Sequence, residues 1–236
     1  MHKIPFEYTD GKIKFKALII SDPFFQGKKP LILIFHAWKG RDSVMEQKGE
    51  LLAKLGYVAF LVDLYGDGIQ GQSKEECAGL MMPLLEDRAL LRSRVVLSYE
   101  AAKSLPGIDA DKIGSIGYCF GGLCALDLAR SGVDLRGAVS FHGLLGAPSD
   151  LKCSVKSKIL CLHGCDDPMI TLEDVLQFEK EMTRLDVDFQ VHVFGQTTHA
   201  FTNPEANDPE FGTVYSERSD KRSWILMRDF FEEVFA

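Results

Sequence analysis

Five continuous apolar runs of strand length, PLILIFHA, YVAFLVDLYG, KIGSIGY, GAVSFHG and SKILCLHG, recur along the chain. They are apolar throughout, without the polar alternation of a one-sided strand, so each needs both of its faces covered. That is the situation of a strand in a sheet sandwiched between helices. Helical periodicity fills the gaps, over residues 45–55, 75–104, 120–130 and 172–184. Strand and helix in alternation predict an α/β architecture, a mostly parallel central sheet with right-handed crossovers and helices on both faces. KIKFKALII alternates with period two and predicts an early antiparallel strand. DFQVHVFG supplies a further strand, and the C-terminal segment closes as a helix whose Trp224, Leu226, Met227, Phe230, Phe231 and Val234 fall on one apolar stripe.

A chain of 236 residues with 46% hydrophobic content can fill one continuous core. With no internal repeat and no low-complexity linker, residues 1–236 are expected to form a single domain. GAPSDLKCSVKS and TNPEANDPEFGT read as loops within it. A net charge of -7 argues against a phosphate-tracking surface, so no nucleic-acid partner is expected. The first residues lack the apolar run of a signal peptide or membrane span, so a cytoplasmic protein without membrane contact is the expectation, taken as a monomer. Cys77, Cys119, Cys124, Cys153, Cys161 and Cys165 sit mostly in apolar segments and are expected to be free thiols.

In such sheets chemistry gathers beyond the carboxyl ends of the strands. Gly117-Tyr118-Cys119-Phe120-Gly121 has the form G-x-C-x-G, a thiol version of the nucleophile elbow. Its glycines suit a strand-to-helix turn too tight for side chains, and a helix N-terminus favours thiolate. A nucleophile needs a base, and the base an orienting acid. His163-Gly164-x-x-Asp167 follows a buried strand, and His199 follows the last one. Nucleophile, acid, histidine is the chain order of an α/β-hydrolase, so Cys119, Asp167 and His199 are the candidate triad. Asp166 is the rival carboxylate, better suited to bonding turn amides.

The remaining histidines fit structural roles: His142 and His163 at buried strand ends, His192 on a strand face, His2 in a frayed terminus. Cys161, His163 and Cys165 lack a second paired-ligand motif, so no metal is expected. Cys124, a turn into the helix, reads as a small buried hydrophobe.

VDLYGDG, GYCFGG, HGCDDP and THAFTNP together resemble the dienelactone hydrolase family, over nearly the whole chain. The resemblance implies an α/β-hydrolase fold, no cofactor, and hydrolysis of a small ester or lactone substrate through a thioester on Cys119, with Asp167 and His199 completing the triad. The oxyanion would be held by the backbone N–H of Phe120 and of Trp38. Two features depart from the family. Its first-loop glutamate corresponds to Ala37, so Cys119 would pair directly with His199. Of its two substrate-binding arginines, one corresponds to Asn203, while Arg88 or Arg92 is a candidate for the other and His36 a candidate polar group beside the site. A non-catalytic scaffold that binds a small molecule or protein is the alternative from another class.

Overall fold

The computed structural model describes residues 1–22, 27–149 and 155–236. Cys153 and the centre of the GAPSDLKCSVKS stretch lie outside them. Eight strands form one sheet: β1 (His2–Thr9), β2 (Lys14–Ser21), β3 (Lys29–Phe35), β4 (Val58–Leu61), β5 (Ile108–Tyr118), β6 (Gly137–Phe141), β7 (Lys158–Gly164) and β8 (Phe189–Phe194). Their order is β1-β2-β4-β3-β5-β6-β7-β8. The β1/β2 and β2/β4 pairs are antiparallel, and every pairing from β4 through β8 is parallel.

Helices α1 (Ser43–Lys54), α2 (Lys74–Glu86), α3 (Arg88–Lys103), α4 (Phe120–Arg130), α5 (Leu172–Arg184) and α6 (Glu217–Val234) cover the sheet. The alternation inside β3 shows why two layers are needed. Leu31, Leu33 and Phe35 join a core with α3, α4 and α5, whereas Ile32 and Ile34 join a second core with α1 and α6. Each strand that reads as continuously apolar is feeding two cores at once.

Three local differences from the sequence expectations have physical causes. The 75–104 periodicity is two helices, because Asp87 leaves helical geometry at φ -107°, ψ 83° and its side chain accepts the Leu90 N–H. Pro83, just upstream, has no N–H to extend the helical ladder. His2 is not frayed but opens β1, paired in register with Ser21. Pro5 hides that strand from a sequence reader, yet an edge strand tolerates proline. The loop after His199 contains a two-residue ladder, β9 (Asn207–Asp208) against β10 (Thr213–Val214).

Five of the cysteines, all described, are free thiols: Cys77, Cys119, Cys124, Cys161 and Cys165. No helix among the described residues is long and apolar enough to cross a membrane. Phe231 is fully buried at the joint of α6 with the sheet. Phe231→Ala is expected to lower unfolding free energy by about 3–5 kcal/mol, read by urea denaturation.

Candidate active site

The joint between β5 and α4 is set by steric exclusion. A Cβ at Gly117 would stand 1.8 Å from the Gly121 carbonyl oxygen, and one at Gly121 would stand 2.1 Å from that of Phe35. Only hydrogens fit there, so α4 starts directly on top of the strand. Cys119 is forced to φ 56°, ψ -118°, a conformation non-glycine residues rarely hold. The surroundings hold it there: its N–H donates to the Phe141 carbonyl at 3.0 Å, and its carbonyl accepts the Gly122 N–H at 2.9 Å. Phe120 is the first residue of α4, so its N–H is one of the donors a helix leaves open at that end.

Asp167 lies just past β7. One of its oxygens accepts the N–H groups of Met169 and Ile170, at 2.8 and 3.1 Å, which orients the carboxylate. The other accepts from His199 Nδ1 at 2.7 Å. Neighbouring Asp166 is exposed and ties the turn through its N–H to the Thr197 carbonyl. His199 is clamped on its own backbone, its N–H donating to Gly212 and its carbonyl accepting from Val214. The small ladder β9/β10 therefore serves to fix a histidine carried on a loop.

Both charged forms are favoured despite burial. Burial alone would strip the His199 proton, but the negative charge of Cys119, the Asp167 hydrogen bond and the pull of the Cys119 sulfur outweigh it and raise its pKa to about 10. Burial likewise pushes Asp167 up, and is outweighed by the His199 hydrogen bond and charge and by the two backbone N–H groups, leaving its pKa lowered. His199 Nε2 itself is buried and has no hydrogen-bond partner of good geometry, although Cys119 lies near enough to raise the His199 pKa.

Cys119 and His199 border a cavity of about 450 Å³, whose walls include Trp38, Met45, Leu144, Ile170 and Phe211. Trp38 stacks on Phe211 at 5.7 Å, and its carbonyl accepts the Tyr65 hydroxyl. Asn203 borders the cavity too, its side-chain oxygen accepting the Glu205 N–H.

Three of the candidate substrate-binding residues stand elsewhere. His36 is buried, with Nε2 accepting the Leu64 N–H and Nδ1 donating to the Ala37 carbonyl, so both nitrogens are consumed in tying two loops together. Arg88 forms a two-pronged pair with Asp127 and also donates to the Gly146 carbonyl, outside the cavity. Arg92 is half-buried on α3 and is not part of the cavity wall either.

His142 is the site residue that sequence reasoning assigned to the core. It is buried at the end of β6 with φ 38°, and it lines the cavity. Its ring meets that of His199 edge-on at 5.1 Å, and Nε2 bonds the Thr202 hydroxyl at 2.8 Å. Burial, then the positive charge of His199, holds its pKa well below the ordinary value, so it stays neutral beside a charged neighbour. Its position at the carboxyl end of a buried strand was the available signal.

A thiol on a strand-to-helix elbow, with an acid and a histidine supplied by later strand ends of a mostly parallel sheet, defines an α/β-hydrolase. The profile of the dienelactone hydrolase family matches residues 15–235, and the chain belongs to that family of hydrolases. A solved structure named m3DLH is similar at 34% identity and a TM-score of 0.94, covering 100% of this chain and 99% of its own. The dienelactone hydrolase-like promiscuous phosphotriesterase P91, from metagenomic libraries, matches at 31% identity and a TM-score of 0.92, over 99% and 98% of the two chains. A protein of Aquifex aeolicus (strain VF5), provisionally named a carboxymethylenebutenolidase, is 28% identical over 231 residues, 96% of either chain.

The folded His199 holds its proton up to about pH 10, against 6.5 for an ordinary histidine. Its stabilising contribution is therefore complete below pH 6.5 and is lost as pH rises through about 10. The stability gap between the native chain and His199→Gln is expected to be widest below pH 6.5 and to shrink steadily toward pH 10. Urea midpoints across that range measure it, and a gap that widens would contradict the ion pair.

Proposed function

We propose that the chain hydrolyses small carboxylic esters or lactones through a thioester on Cys119. The observation that carries this reading is the buried Asp167–His199 pair at 2.7 Å, whose histidine shares one cavity with a cysteine on a glycine-flanked elbow. Membership of the dienelactone hydrolase family and the carboxymethylenebutenolidase name of the Aquifex relative support the same substrate class.

The Cys119 thiolate attacks the acyl carbon, and the carbonyl oxygen becomes an oxyanion held by the N–H groups of Phe120 and Trp38. As the C–O bond breaks, the departing alkoxide takes a proton from the His199 imidazolium. The neutral ring then removes a proton from water, and the resulting hydroxide attacks the thioester. The C–S bond breaks, releasing the carboxylic acid and regenerating the thiolate. Asp167 keeps His199 in one tautomer and stabilises its positive charge throughout. With Ala37 at the first loop, no carboxylate from that position competes with His199 for the thiol.

Single-turnover kinetics with p-nitrophenyl acetate test the reading. A burst of p-nitrophenol is expected, together with an acyl adduct on Cys119 by mass spectrometry. Cys119→Ala is expected to lose on the order of 10⁴-fold or more in kcat/KM, and Asp167→Asn roughly 10²–10⁴-fold, with the fold retained by circular dichroism. Full turnover by Cys119→Ala would sink the proposal.

A further inference from the structure

The charges around the cavity point to a substrate class. Its inner walls are apolar: Val44 and Met45 from α1, Met81 from α2, and Leu144, Met169 and Ile170 from the loops beyond β6 and β7. Among the described residues that line it, Lys74 is the one lysine or arginine, against Asp42, Glu205 and Asp208. His142 is neutral, and the His199 charge is directed at Cys119 and Asp167.

Lys74 is also engaged. Its Nζ meets an Asp208 oxygen at 2.6 Å and lies 4.4 Å above the Phe211 ring. The other Asp208 oxygen accepts the Phe211 N–H at 3.0 Å. Phe211 in turn stacks on Trp38, so Asp208 holds both the ammonium and the ring that close one side of the mouth. Asp208 thus cancels the one lysine of the lining; of the other wall carboxylates, Asp42 caps α1 by accepting the Met45 N–H, and Glu205 is left as uncompensated negative charge.

We propose that this site selects uncharged, apolar acyl esters and disfavours carboxylate-bearing ones, with Asp208 setting the preference by neutralising Lys74. The inference rests on the ester-hydrolase reading of the same cavity. The physical basis is simple: an anionic substrate would leave water for an apolar space and meet net negative charge at its entrance. An uncharged acyl chain gains from the same walls.

Two matched comparisons test it. In hydrolysis, p-nitrophenyl hexanoate and mono(p-nitrophenyl) glutarate differ chiefly in the carboxylate. The native chain is expected to favour the hexanoate by about 10-fold or more in kcat/KM. Asp208→Asn frees the Lys74 ammonium and is expected to narrow that ratio about 5-fold at low ionic strength, the scale of one ion pair near 4 Å in water. Salt should erode the change. Glu205→Gln should narrow the ratio in the same direction by a smaller factor, and provides a second variant should Asp208→Asn fail to fold.

The second comparison needs no hydrolysis. Iodoacetamide and iodoacetate alkylate a thiolate alike, forming a C–S bond and releasing iodide, but only the latter is an anion. Peptide mass spectrometry reads their relative rates at Cys119. Asp208→Asn is expected to raise the iodoacetate-to-iodoacetamide ratio by about 5-fold on the same Coulomb scale. A protein that hydrolyses neither ester yet shows the raised ratio loses the ester reading and keeps the charge selection. Equal turnover of both esters by the native chain, or ratios unmoved in both variants, would overturn the inference.

Discussion

The contact between the backbone of Gly121 and the Phe35 carbonyl is the constraint from which the site follows. With no side chain at Gly121 or Gly117, α4 can begin directly over the ends of β3 and β5. A methyl group at either position would collide with backbone, which cannot move aside as a side chain can. This close approach imposes the unusual dihedral angles of Cys119 and lifts its sulfur to the cavity. It also aims the open N–H groups of the α4 N-terminus at the same place. The strained cysteine and the open end of α4 are therefore products of one packing event.

The electrostatics depend on that placement in turn. His199 and Asp167 are almost inaccessible to solvent, and burial works against charge on either. The charges persist because each is answered at short range: Asp167 by two backbone N–H groups and the imidazole, His199 by the carboxylate and the sulfur. Removing water strengthens these attractions as well as raising the cost of leaving any charge unanswered. Neutral His142, packed edge-on against His199, adds a polar ring without adding another buried charge.

Much of the scaffold was legible along the chain because buried parallel strands carry a simple signal. A strand such as β3 must be apolar on both faces, and LILIF declares that without knowledge of its neighbours. Helix α4 is delimited by the elbow glycines Gly117 and Gly121, which flank its start, and by Arg130 at its end. The local pattern and the fold part company where tertiary context overrides periodicity. Periodicity ran straight through Asp87, since a cap is visible only when its carboxylate turns back to Leu90. Pro5, which has no backbone N–H to give to a ladder, disguised an edge strand.

Within the site, sequence by itself determined which residue types stand at strand ends and in what order, because the elbow glycines and the Cys, Asp, His succession are properties of local chain geometry. Only the tertiary structure decided how the other polar residues are used. His36, Arg88 and Asn203 are comparable candidates by composition and proximity to motifs. Folding consumes both nitrogens of His36 in loop contacts, commits Arg88 to Asp127, and leaves Asn203 on the cavity wall. The same holds for Lys74 and Asp208, 134 positions apart, whose 2.6 Å pairing sets the charge at the mouth. Hydrogen bonds and ion pairs are short-ranged, and which groups come within reach across such separations is settled by the packing of the sheet and its loops.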